Sequence, residues 1–369
     1  MNPNPVKKSR SQRFTPVGLI FAVLGLLLFA YFVARGVTEI RRNLAQLGAG
    51  FLFILALGGL RKVVRALAWQ RCFEEPHGIR FRDAFKAILM GEALGNIMPF
   101  GGMVVSEPAK AVFVRERVPL EAGLSAIAVE NLFYSLSTAL FIFSGMLALL
   151  LSFPLPKSLR WASIATMIAV TVIIPSAYLV IHRRWKFVSG ALEWVYRRGV
   201  ARRLLETRRE RVRSIEDRIY GFYGRNRSRF LPIMLLEACF HVAGVVEVYL
   251  TLSFISDRRA PTLLVAFVFE SVNRIINIVF KPVPMRMGVD EGATEKLARA
   301  LKFDEANIGV SVAIIRKARD IFWTAVGVLF LLRRGLSLRA AVKETEEAVA
   351  DEVSAGRSAS PVLPTGDPS

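Results

Sequence analysis

Long uncharged apolar runs separated by basic segments constrain this chain more than any other feature. Val17 to Ala34, Asn43 to Leu60 and Trp161 to Ile181 carry no charge, and Ala122 to Pro154 is broken only by Glu130. Ile233 to Ile255, Thr262 to Phe280 and Ile308 to Leu332 are apolar with a few embedded polar residues. Runs of about 18 to 25 residues are what a helix needs to cross a bilayer. With 53% hydrophobic residues among 369 and a mean hydropathy of +0.41, the chain holds more apolar side chain than a soluble core accommodates. The expected fold class is all-α and integral to a membrane, with about six spans near 15–34, 46–67, 120–150, 161–181, 230–256 and 308–332.

The formal charge of +20 would suggest nucleic acid in a soluble chain. Here Lys and Arg lie between apolar runs, which is the positive-inside pattern. No basic segment carries interleaved stacking aromatics, so no nucleic-acid partner is expected. Segment 183–229 holds 15 Lys and Arg against 5 Asp and Glu and reads as a basic cytoplasmic connector. Within it, 201–223 is either a basic amphipathic helix on the headgroups or a solvated linker. Lys7, Lys8, Arg10 and Arg13 precede a long apolar run, which reads as an uncleaved first span. Arg61, Lys62, Arg65 and Arg71 read as the cytoplasmic end of span two, and Arg333, Arg334, Arg339 and Lys343 as the cytoplasmic end of the last. The charge rule thus places both termini in the cytoplasm, in an inner or plasma membrane. The Ala-, Glu-, Ser- and Pro-rich tail, 341–369, is expected to be disordered.

Cys72 and Cys239 are far apart and His77, His182 and His241 are scattered. Neither a disulfide framework nor a metal spacing follows, so no cofactor is expected.

Two stretches are not plain spans. In 84–115, Gly91, Gly95, Pro99, Gly101, Gly102 and Pro108 interrupt an apolar sequence; in 262–304, Pro282, Pro284 and Gly288 do the same. One helix cannot run undisturbed through Met98-Pro99-Phe100-Gly101-Gly102. Broken backbone at membrane depth needs protein or a wet cavity to satisfy it, so each stretch reads as a re-entrant hairpin. The two resemble each other: Asn96, Pro99 and Glu107 in one, Asn277, Pro284 and Glu291 in the other. Each leads to a span with a serine and, five residues on, an ionisable group: Ser125 with Glu130, Ser311 with Arg316. Residues 46–182 and 230–334 therefore read as inverted repeats within one polytopic domain, 1–340, an architecture that places a substrate site near the midplane.

Ionisable groups at membrane depth are costly, yet the chain keeps many. The candidate substrate-binding set is Asn96, Pro99, Gly101, Gly102, Glu107 and Lys110 around the first break, and Glu130 and Asn131 in the span after it. Glu270, Arg274, Asn277, Pro284, Gly288 and Glu291 surround the second break, with Arg316 and Asp320 in the last span. Their structural reading is ion pairing between spans, with Glu130 neutralising Arg316; their functional reading is a polar cavity for a charged headgroup. Arg suits phosphate through bidentate bonding. Glu237 and His241 share one face of a span, the spacing of a proton relay.

The segments GNIMPFGGMVVSEPAKAVFV, AIAVEN, PVPMRMGVDEGATEKL and VAIIRKARDIFW resemble the flippase-like family that includes the membrane part of lysylphosphatidylglycerol synthases and hopanoid-associated membrane proteins. The resemblance covers about residues 14–335. It implies two hairpins around a central lipid-headgroup cavity, with Pro99, Gly102, Glu107 and Glu130 from the first half and Pro284, Gly288, Glu291 and Arg316 from the second. Extra length around Gly101–Val105 departs from the pattern. About 37 residues follow Leu332, too few for the soluble aminoacyl-transfer domain of the synthases, so no enzyme is expected. The implied function is a lipid flippase or transporter for an anionic phospholipid, a polyprenyl-linked glycolipid or a hopanoid. The alternatives are a membrane-embedded enzyme or accessory subunit of lipid or glycan synthesis, and a scaffold.

Overall fold

The computed structural model describes residues 38, 41–74, 77–97, 102–182, 221–222, 224–256, 260–280, 286, 288–303 and 307–355. The expected first span, most of the connector, Pro99, Gly101 and Pro284 lie outside these residues. All regular structure among the described residues is helical.

A short helix, α1 (Arg41–Leu47), meets α2 (Gly50–Arg71) at 79°, and Gly48 between them takes φ +44, which glycine tolerates best. The first broken stretch becomes α3 (Phe81–Ile97, 17 residues) and α4 (Gly102–Phe113, 12 residues). Then follow α5 (Leu120–Ser152), α6 (Lys157–His182) and α7 (Arg227–Ile255). The second broken stretch becomes α8 (Leu263–Val279) and α9 (Val289–Ala300), again 17 and 12 residues. Thr262 caps α8 by accepting from the Val265 N–H at 3.2 Å. Gly288 opens α9 at φ +78, and Asp290 and Glu291 in its first turn complement the helix dipole. The chain ends in α10 (Ile308–Arg333) and α11 (Leu338–Ala355).

Helices α5, α6 and α7 are long and apolar enough to cross a membrane, and α1 with α2 would make a fourth span. At 33 residues, α5 is about 50 Å long, well beyond the hydrocarbon core. The hairpin helices, of 17 and 12 residues, lie at or below the lower limit for crossing. Helix α10 has the length, 26 residues, but carries Arg316, Lys317, Arg319 and Asp320 in its middle.

The apolar side chains form two cores. One holds α3 and α4 with the end of α2 (Ala66, Trp69, Cys72), the start of α5 (Leu120 to Phe133), Ile233 of α7 and Leu331 of α10. The other holds α8 and α9 with Ile54 of α2, Ile142 to Leu149 of α5, Val248 to Ile255 of α7 and Ile308 to Ile315 of α10. Thus α5 and α7 run from the first core to the second, and α2 and α10 run back. The two hairpins sit at opposite ends of the long helices.

Each hairpin packs on its own half and also reaches across to the other. Helix α3 lies on α10, α8 lies on α5, and α2 runs along α7. Small residues allow these crossings: a Cβ on Gly327 of α10 would collide with the Leu89 carbonyl oxygen of α3, and one on Gly145 of α5 with Ser271 Oγ of α8.

The first part of the tail departs from its composition, and residues 356–369 lie outside the described residues. Residues 338–355 are the helix α11, not a disordered segment. Ala341, Thr345 and Ala348 make a buried stripe on it, which packs on α4. Glu344 pairs with Arg115 at 3.3 Å. A narrow stripe of small residues is invisible to a composition argument but enough to dock a helix.

Candidate functional site

Between the two cores lies a charged cavity of about 210 Å³. Its wall takes Arg61, Lys62 and Arg65 from α2, Glu92 from α3, Arg274 and Asn277 from α8, Arg286 and Asp290 at α9, and Arg316, Lys317, Arg319 and Asp320 from α10. Eight lining residues are Lys or Arg and three are acids.

The remaining acids stand behind the cations. Glu270 is 1% exposed and binds Arg274; its Oε2 accepts from Arg316 at 3.1 Å, and Arg61 lies 3.7 Å from Oε1. Glu247 accepts from Arg61 at 3.3 Å and also binds Arg319. Arg65 holds both oxygens of Glu130, at 2.9 and 3.0 Å. Lys317 lies 2.7 Å from Glu291 and 3.3 Å from Asp290, which also accepts from Arg286 at 3.2 Å. Lys62 binds Glu92, and Arg319 donates to Asp320 at 2.6 Å. Phe240 presents its ring to two guanidiniums, Arg61 at 4.4 Å and Arg274 at 4.9 Å. A planar guanidinium keeps donors to spare after one carboxylate is satisfied, so this wall can still take an anion.

The candidate residues fare differently. Arg274, Asn277, Arg316 and Asp320 line the cavity, and Glu270 and Glu291 anchor its cations. Glu107 binds Lys110 at 2.7 Å and accepts from Asn131 at 3.2 Å, a cluster beside Arg65 but not in the wall. Asn96 donates to Thr324 at 2.9 Å, tying α3 to α10. Gly102 begins α4 and Gly288 begins α9.

The expected ion pair between Glu130 and Arg316 does not form. Each pairs within its own half, Glu130 with Arg65 and Arg316 with Glu270. The reason is packing: α5 lies against α2, which carries Arg65, whereas α10 packs mainly on α3 and α9, so the equivalent residues have different neighbours. Asp320, four residues on from Arg316, pairs with Arg319. Arg61, Lys62 and Arg65 are the largest correction. They follow the uncharged run that ends at Leu60 and so imitate a cytoplasmic cluster. Their side chains are only 11%, 21% and 13% exposed and point into the bundle. The usable signal was the set of acids in apolar helices, Glu92, Glu247 and Glu270, each of which needs a buried cation. No group of His, Cys, Asp and Glu among the described residues is arranged to hold a metal.

The transmembrane region of lysylphosphatidylglycerol synthase matches as a family over residues 17–340. The chain belongs to this family. Membership and the membrane-length helices together make it a multi-pass membrane protein of a lipid-related family. Comparison with curated proteins and with solved structures gives no match.

Proposed function

We propose that this protein carries an anionic membrane lipid between leaflets, taking the phosphate-bearing headgroup into the central cavity while the acyl tails stay in the bilayer. The observation that carries this reading is the wall of eight cations against three acids, built from both halves. Guanidinium groups bind phosphate bidentately and with charge assistance. The reading is of a carrier, not an enzyme. All three lining acids are engaged by cations, Glu92 by Lys62, Asp290 by Lys317 and Asp320 by Arg319, which leaves none of them poised as a general base.

The same reading takes the two halves as inverted repeats with six spans. Its support is the matching of hairpin lengths, 17 and 12 residues in each half, and the placement of the hairpins in opposite cores. Alternating access would then rock one half against the other around the cavity. Both termini would lie in the cytoplasm of an inner or plasma membrane. Single cysteines replacing Ile215 or Glu347 should stay unlabelled by an impermeant thiol reagent in intact cells and react after lysis; labelling from outside defeats this topology.

The function is tested in proteoliposomes. Fluorescent phosphatidylglycerol should move between leaflets faster with the protein than without it, and fluorescent phosphatidylcholine should gain much less. Equal rates for the anionic lipid in protein-free and protein-containing vesicles overturn the proposal.

A further inference from the structure

A second cavity, of about 330 Å³, opens where α3, the end of α4 and the end of α10 meet. Among the described residues it shares no lining side chain with the central one. On α10 it begins at Phe330, ten residues past Asp320 of the central wall, which is about 15 Å of helix. Its floor is the edge of the first core. Met90, Phe113 and Val114 are buried there, and Phe330 packs against the same core.

The rim is basic. Four cations line it against two acids among the described residues. Both acids are spent within the rim: Asp83 takes Arg117 at 2.7 Å, and Glu116 takes Arg334 at 2.9 Å. The Phe113 carbonyl also accepts from Arg334, at 2.7 Å, which fixes that guanidinium to the end of α4. Lys86 of α3 and Arg333 of α10 face no carboxylate among the described residues. The Lys86 ammonium stands 5.9 Å from the centre of the Phe330 ring. Two positive charges are thus left over above an apolar floor.

The flank of the recess tells which anion fits. Helix α10 is uncharged from Ile321 to Leu332. Leu329 and Leu332 lie on the side of α10 that carries Arg333, and both are exposed. A lipid meets all three parts at once: tails along the leucines, glycerol backbone on the apolar floor, phosphate between the cations. Free phosphate uses only the last of these. Basic recesses between helices at a membrane surface are suited to anionic lipid headgroups. We propose that this recess is a second lipid site, separate from the central cavity, which holds the phosphate of an anionic phospholipid of the surrounding leaflet between Lys86 and Arg333. The lipid stays in its leaflet and is not cargo. Because Lys86 belongs to α3 and Arg333 to α10, the bound lipid fastens the first hairpin to the last long helix.

The test counts lipids on the full chain by native mass spectrometry, with the protein purified in a neutral detergent and titrated with dioleoyl phosphatidylglycerol. Two lipids should bind, one in each cavity, and dioleoyl phosphatidylcholine should compete poorly for both. Lys86→Gln with Arg333→Gln should weaken one of the two by about thirtyfold, the scale of two cations at a membrane surface. Lys86→Arg with Arg333→Lys should keep it. Both side chains are exposed, so neither pair of changes disturbs the core. Asn277→Asp, in the central cavity, should remove only the other lipid. A lipid count and affinity that the paired glutamines leave unchanged overturn the second site. Inorganic phosphate that displaces this lipid at equal concentration overturns the lipid assignment and makes the recess a site for the free anion. A single bound lipid, lost in Asn277→Asp and kept with the paired glutamines, overturns the second site and leaves the central one standing. A single lipid lost only with the paired glutamines supports the second site and counts against the central one.

Discussion

Glu270→Gln is expected to be the most destabilising conservative substitution in the protein. Among the described residues, Glu270 alone stands among three guanidiniums, those of Arg61, Arg274 and Arg316. The amide keeps the shape and removes the charge, leaving the arginines to repel one another in a buried place. Breaking one side of a buried ion pair costs about 3 to 5 kcal/mol, a large share of the roughly 5 to 15 kcal/mol that holds a typical protein folded. The double change Glu270→Gln with Arg274→Gln removes a cation as well and should recover part of the loss. Thermal unfolding of the detergent-solubilised protein, followed by size exclusion, reads both. A single mutant as stable as the parent, or a double mutant whose loss is the sum of the two singles, shows that the arginines do not depend on Glu270.

The second large effect concerns transport. Asn277 lines the cavity, and its Oδ1 is buried without a partner. Asn277→Asp is nearly isosteric and places a negative charge where the headgroup phosphate is to sit. At about 4 Å and an effective dielectric of about 20, two like charges cost about 4 kcal/mol, which is roughly three decades of affinity. Flux of fluorescent phosphatidylglycerol should fall by at least about a hundredfold on that scale, while Asn277→Ala should fall far less. Equal losses in the two variants would mean that shape, not charge, matters at this position, and the anion site would move elsewhere.

Much of this architecture was legible in the sequence because the bilayer is a severe solvent. Uncharged runs such as Trp161 to Ile181 must be helical and must be covered by lipid or protein, and α6 follows that run. Proline and glycine at Pro99 to Gly102 and at Pro284 to Gly288 forbid a continuous helix, and the helices on either side stop and restart there. The charged stripe of α8 was likewise visible as Glu270, Arg274 and Asn277, spaced three and four residues apart on one helix face.

Pairing was not legible. Periodicity says which face of a helix a residue occupies, but it does not say which other helix that face meets. Arg65 and Arg316 both needed an acid, and Glu130 and Glu270 were both available. Only the packing of α2 against α5, and of α10 mainly on α3 and α9, decided that each pair closes within its own half. The same ambiguity hid Arg61 and Lys62, because a cation just past an apolar run reads alike whether it meets lipid phosphate or a carboxylate on a neighbouring helix. Sequence by itself determined the solvent, the membrane-length helices and the two breaks, though not the tail helix α11, since the first three depend on local composition and backbone chemistry. Tertiary structure decided which charges face the cavity and which are neutralised behind it, because long-range ion pairing depends on packing distances that no local pattern encodes.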